Sequence, residues 1–112
     1  MVEKSVFQRI IDQEIPADVL YEDDLCLVFR DIAPQAPVHF LVIPKQPIRS
    51  LDDLSDDDQA LVGHLMLTIR NLGRQMGLQD GYRVISNCGA DAGQTVDHLH
   101  FHVLAGQTMD WP

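Results

Sequence analysis

An α+β fold is predicted for this chain, with about five antiparallel strands and helices packed on the sheet. Three observations predict it. Apolar residues recur at helical spacing in two segments and in short β-branched or alternating runs elsewhere. The segments follow in the order helix, three strands, long helix, two strands. Connections between neighbouring strands are short, which favours antiparallel pairing.

The first helix is expected over Ser5–Gln13. Val6, Phe7, Ile10 and Ile11 share one face, Ser5 is a candidate N-cap, and Pro16 follows its end. Val19–Tyr21 reads as a short strand, and Glu22-Asp23-Asp24 as a turn. Leu25–Arg30 is the next strand, and Ala33–Pro37 is a loop with two prolines. Val38–Pro44 is almost wholly apolar and β-branched, which suits a central strand buried on both faces.

The second helix starts at Ser55. Asp56, Asp57 and Asp58 occupy its first turn, where negative charge complements the helix dipole. Leu61, Leu65, Ile69, Leu72 and Met76 trace its apolar stripe, and Gly77 is placed to end it. His64 lies beside the stripe as a partly exposed residue. The acidic run from Asp52 to Asp58 reads as a solvated helix entry; it lacks the spacing and glycine of a calcium loop. Tyr82–Asn87 is a strand, Gly89–Thr95 a glycine-containing loop, and Val96–Leu104 the last strand.

The chain has 112 residues, enough for a single domain over 1–112 with one core. No apolar run approaches the ~20 residues of a membrane span. The start, Met1-Val2-Glu3-Lys4-Ser5, has no long apolar stretch of a secretory signal. Cys26 and Cys88 form no CxxC motif, and two buried thiols in a cytoplasmic protein are expected. A net charge of −9 argues against DNA, RNA and anionic membranes as partners. It leaves room for one small phosphate, which backbone N–H groups and imidazolium can hold.

The richest chemistry lies in Val96-Asp97-His98-Leu99-His100-Phe101-His102-Val103-Leu104. A strand sends successive side chains to opposite faces. His98, His100 and His102 then share one face, and Leu99, Phe101 and Val103 the other. Three of the chain's five histidines fall in five residues. Three readings compete. The row is a structural strand face; or it is a metal site; or it is a nucleophile acting on phosphorus. Two histidines at i and i+2 reach one zinc ion, and His39 offers a further ligand from a neighbouring strand. His98 and His102, however, stand about 13 Å apart on a strand, and the run has no cysteine pair and no nearby Glu. Nucleophilic catalysis needs one imidazole with a free nitrogen, fixed by a partner on its other nitrogen. It also needs donors for the phosphoryl oxygens. The loop Gly93-Gln94-Thr95 offers such donors at one end of the row.

His98-Leu99-His100-Phe101-His102-Val103-Leu104 matches the alternating pattern of the histidine-triad (HIT) family. Further blocks resemble its Hint branch, the purine nucleoside phosphoramidases. They are Ser5-Val6-Phe7, Glu14-Ile15-Pro16, Phe29-Arg30-Asp31-Ile32, Pro34-Gln35-Ala36-Pro37, His39–Lys45, Asn87, Gly93-Gln94-Thr95 and Met109-Asp110-Trp111-Pro112. The resemblance implies a five-stranded antiparallel sheet with two helices, pairing into a ten-stranded sheet in a homodimer. The helix Ser55–Met76 is a candidate interface element, and Trp111 a terminal anchor over the partner subunit.

The resemblance also implies roles. His100 is the nucleophile on the α-phosphate, His102 positions the phosphate, and His98 supports the network. His39 is the companion histidine on the neighbouring strand. Thr95, where the family usually has Ser, donates to the leaving amine. Gly93 and Gln94 line the phosphate site, and Asn87 contacts ribose or phosphate. Asp31 accepts from the ribose hydroxyls. Phe7, Ile10, Phe29 and Ile32 form the purine slot. The implied ligand is a purine mononucleotide or nucleoside phosphoramidate, and the chemistry requires no cofactor and no metal. Dinucleoside polyphosphate hydrolysis, nucleotidyl transfer and a non-enzymatic nucleotide-binding module are the alternatives. Asp97 replaces an aromatic residue and Asp110 a histidine common in the family. Strand geometry sends Asp97 to the face opposite the row.

Overall fold

The computed structural model describes residues 3–111; Met1, Val2 and Pro112, part of the terminal readings above, lie outside them. Five strands form one antiparallel sheet in the order β1-β2-β3-β5-β4. They are β1 (Val19–Glu22), β2 (Cys26–Arg30), β3 (Val38–Pro44), β4 (Tyr82–Ile85) and β5 (Phe101–Ala105). The two helices are α1 (Val6–Ile11) and α2 (Gln59–Gln75). The α+β class, the strand number and the antiparallel pairing match the expectation. Among the described residues, no helix is long and apolar enough to cross a membrane.

Each helix end has a local cause. The Ser5 side chain accepts the Gln8 N–H at 3.0 Å and starts α1. α1 ends two residues sooner than expected, in a turn with Gln13 at φ 61° and the Glu14 N–H on the Arg9 carbonyl. Asp56–Asp58 form a turn of 3₁₀-helix before α2, with the Asp58 carboxylate accepting the Ser55 N–H at 2.9 Å. At the other end Gly77 has φ 71°, and the N–H groups of Gly77 and Leu78 return to the carbonyls of Arg74 and Gly73. This is a Schellman ending, and a left-handed residue there favours glycine.

The sheet has two different faces. Cys26, Val28, Phe40, Val42, Phe101 and Val103 point to α2 and pack with Leu65, Ile69 and Leu72, while Leu61 and Met76 border the cluster. The predicted stripe of α2 is therefore the stripe it buries. Leu27, Phe29, Leu41 and Ile43 point the other way and pack with Phe7 of α1. Both faces being covered explains why β3 is buried from His39 to Pro44. β1 and β4 are the edges.

The last strand differs from expectation. The run enters the ladder only at Phe101, three residues after His98. Continuing the β3–β5 register would set Leu99 opposite Pro44. Pro44 has no N–H to give, and its carbonyl is taken by the His98 ring. The Leu99 N–H instead meets the Ile48 carbonyl at 2.7 Å. Alternation survives beyond the ladder: Leu99 joins the α2-side cluster with Phe101 and Val103.

Candidate active site

Four histidines collect on the α1 face. His39 shares this side of β3 with Leu41 and Ile43, and Leu41 faces His102 across the β3–β5 pair. His39 and His102 are therefore diagonal neighbours, with ring centroids 5.2 Å apart. The His100 and His102 rings are 5.1 Å apart. The Phe7 ring stands edge-on to His100 at 4.9 Å and near His98 at 6.4 Å. His39, His98 and His100 are buried, and His102 is half-buried.

Partners assign the ring protons. A carbonyl only accepts, so a ring nitrogen beside one carries the proton. His98 Nε2 lies 2.8 Å from the Pro44 carbonyl and is N–H. His100 Nδ1 lies 2.7 Å from the His98 carbonyl and is N–H. The second nitrogen of His100, Nε2, therefore holds a lone pair, and no described residue hydrogen-bonds it. Among the described residues no buried side-chain nitrogen or oxygen lacks a partner, so this lone pair reaches solvent.

A second chain of bonds sets His102. The Gln35 backbone N–H donates to His39 Nδ1 at 3.0 Å, which leaves the His39 proton on Nε2. His39 Nε2 donates to His102 Nδ1 at 2.9 Å. The His102 proton is thereby on its own Nε2. Asp31 Oδ2 stands 3.4 Å from His39 Nε2, a longer contact to the same donor. Burial, then the nearby His100 and His39, push the His102 pKa below its ordinary value, against the opposing Asp31 charge. Burial also lowers that of His98, against its bond to Pro44.

The remaining expected residues fall into two groups. Asn87, Gly93, Gln94 and Thr95 gather at the end of the row, but their roles there are partly structural. Asn87 Nδ2 donates to the Ala92 carbonyl at 2.7 Å. Gly93 has φ 85° and closes a 3₁₀ turn over Ala90–Ala92. The Gln94 side chain is spent on backbone: Oε1 accepts the Gly89 N–H, and Nε2 donates to the carbonyls of Arg49 and Val96. It shapes the loop, while Thr95 is exposed at its end. A cleft of about 940 Å³ borders Thr95 and His98, with Val6, Pro47 and Arg49 among its walls.

Residues 96–98 bend, and Asp97 borders the cleft beside His98 and stands 3.7 Å from the exposed Arg49. Val96 packs on the α1 side with Phe7, as alternation expects. On the other side of the row, Phe7 and Phe29 pack edge to face at 5.6 Å and are buried, with Ile10 against them. Ile32 is 99% exposed and packs on none of them in the single chain. Asp31 Oδ1 accepts the Ala33 N–H at 2.8 Å, which leaves Oδ2 facing the histidines.

Sequence reasoning missed the backbone partners: the carbonyls of His98 and Pro44 and the N–H of Gln35. Any residue type supplies these groups, so only the topology reveals them. One ligand atom each of Asp31, His39 and His102 lies within 4.8 Å of the others. The three triad rings do not converge in this way, in keeping with their spacing along the chain.

A row of alternating histidines on one sheet face, with a companion on the adjacent strand, defines a domain of the histidine-triad class. The chain belongs to the HIT domain family, whose sequence profile matches residues 12–109. It is 57% identical over 112 residues to an uncharacterized HIT-like protein of Synechococcus elongatus, covering 100% of this chain and 98% of that one. Its fold is similar to a HIT family hydrolase from Legionella pneumophila, with a TM-score of 0.94 and 43% identity over 97% of this chain and 98% of the other. A histidine triad nucleotide-binding protein from Candida albicans is similar with a TM-score of 0.82 and 32% identity, over 97% of this chain and 83% of that one.

Proposed function

We propose that the protein is a nucleotide hydrolase of the Hint branch, cleaving the P–N bond of purine nucleoside 5′-phosphoramidates. One observation carries this reading: the lone pair on His100 Nε2, enforced by the His98 carbonyl on Nδ1. His100 Nε2 attacks the α-phosphorus, the P–N bond breaks, and a nucleotidyl-histidine forms. The departing nitrogen takes a proton from solvent, relayed through the Thr95 hydroxyl, and leaves as the amine. Water then adds to phosphorus and gives up one proton to solvent, the bond to His100 breaks, and the nucleoside monophosphate leaves. The His102 N–H and the loop amides near Gly93 hold the phosphoryl oxygens. Asp31 accepts from the ribose, and the purine lies against the Phe7, Ile10 and Phe29 side with Ile32 at its rim. The names of the similar proteins, a hydrolase and a nucleotide-binding protein, support the same class.

The homodimer belongs to the same reading. β4 pairs with β5 alone, and Tyr82 and Val84 on it are exposed. Pairing two β4 edges gives the ten-stranded sheet and leaves only the β1 strands as edges. Met66 and Leu67 of α2 and Trp111 are exposed apolar residues for the partner subunit to cover.

Turnover of a fluorogenic adenosine phosphoramidate tests the activity. Wild type cleaves it, and His100→Ala loses at least about 10³-fold in rate with unchanged circular dichroism. Equal rates overturn the nucleophile. A wild type that cleaves diadenosine polyphosphate instead moves the protein to the other hydrolase branch.

A further inference from the structure

Among the described residues, one group of metal-ligating side chains converges outside the histidine row. Asp23 closes the β1–β2 turn: its Oδ1 accepts the N–H groups of Leu25 at 2.8 Å and Cys26 at 2.9 Å. This aims Oδ2 at α2, where it accepts from His64 Nε2 at 2.6 Å and from the Tyr21 hydroxyl at 2.8 Å. Cys26 lies beside it, fully buried, with its sulfur 3.9 Å from the Thr68 hydroxyl one turn after His64. A carboxylate oxygen of Asp23, the sulfur of Cys26 and a ring nitrogen of His64 lie within 4.8 Å of one another.

We propose that Asp23, Cys26 and His64 bind one borderline-soft divalent cation of the zinc class, clamping the β1–β2 turn to α2. Thiolate, imidazole and carboxylate together suit zinc, and three protein ligands leave a fourth position for water. Zinc bonds of about 2.0–2.3 Å fit this spacing after side-chain rotation that opens the Asp23–His64 contact. The outer contacts are also in place. Two backbone N–H groups and the Tyr21 hydroxyl orient the carboxylate, and Thr68 neighbours the sulfur. Side-chain exposures of 24% for Asp23 and 34% for His64 give the ion a route in, while the sulfur side stays dry.

Without an ion the thiol is held protonated: burial and the Asp23 charge push it up to about 11. A bound cation inverts that field. On binding, the S–H bond breaks, the proton goes to solvent, and the sulfur lone pair forms the metal bond. The His64 proton moves from Nε2, where Asp23 accepts it, to Nδ1, and the imidazole binds through Nε2. One proton is released per ion, with no oxidation or reduction. The competing account is a bare Asp23–His64 hydrogen bond between turn and helix.

Titration of the full chain with Co²⁺ separates the two. A thiolate-to-cobalt charge-transfer band is expected, saturating at one equivalent. Cys88→Ser and His102→Ala retain it; the Asp31, His39 and His102 group contains no thiol to produce it. Cys26→Ser abolishes it, with circular dichroism reporting the fold. His64→Ala, at a half-buried position, moves the midpoint at least about tenfold higher. Wild type without the band, a band surviving in folded Cys26→Ser, or an unmoved midpoint in His64→Ala overturns the site.

Discussion

The two faces of the sheet are built for different ends. On the α2 face, β2, β3 and β5 meet Leu65, Ile69 and Leu72 in an apolar layer, where Thr68 is a buried hydroxyl bonded to the His64 carbonyl. On the α1 face a shorter helix inserts Phe7 into a small cluster, and four histidines occupy positions that a plain core would fill with aliphatic side chains. The first face supplies burial in bulk. The second accepts desolvated imidazoles and holds each by a partner, since an unpaired buried polar group is costly. Stability and chemistry are thereby separated across one sheet, so substitutions on the two faces should fail in different measurements.

The largest effect on stability is expected on the α2 face. Leu65 is fully buried. Leu65→Ala should lower the unfolding free energy by about 2–5 kcal/mol. Turnover per folded molecule should stay unchanged; urea titration and phosphoramidate assays on the same sample check both.

On the α1 face the smaller energies should appear in rate. His39→Ala removes the donor that fixes His102 but leaves His100 and its carbonyl partner. The rate should fall by about 10- to 100-fold, with a shifted pH profile. A variant matching wild type in both would show that His102 needs no relay.

The faces also differ in acid. The folded pKa values of His98 and His102 are lowered by burial. Below about 6.5 the unfolded chain takes up protons that the folded chain refuses, so stability falls as pH drops through this range. It levels off once pH is below the folded values. Replacing His98 by Gln should flatten this slope in denaturant titrations between neutral and mildly acidic pH. An unchanged slope would assign the acid sensitivity to other groups.

Much of the contrast was legible in the sequence. The α2 stripe from Leu61 to Met76, the run Val38–Pro44 and the split of His98, His100 and His102 from Leu99, Phe101 and Val103 follow from side-chain periods alone. The histidine strand was drawn too long, because proline's missing N–H acts through Pro44, more than fifty residues earlier in the chain. The resemblance places Gln94 at the phosphate site, but how its side chain is held there is not legible in the sequence. Its three bonds to backbone are tertiary facts. Alternation itself outlasts the ladder: Val96 packs on the α1 side and Leu99 on the α2 side, although neither is in the strand.

The smallest expected effect lies at the end of α1. Gln13 holds a left-handed φ of 61° without being glycine. Gln13→Gly should stabilise the fold by about 0.5–1 kcal/mol. Thermal unfolding checks it, and a loss of stability would mean that the Gln13 side chain contributes more than its backbone strain costs.

The central claim is that backbone groups set the proton positions in the histidine row. Correlation of the ring nitrogens with their carbon-bound protons by ¹H–¹⁵N NMR, above the histidine titration range, reads those positions directly. The account predicts His100 as the Nδ1–H tautomer, and His39, His98 and His102 as Nε2–H. His100 found as Nε2–H would contradict it, because the nitrogen assigned to attack would then carry a proton instead of a lone pair.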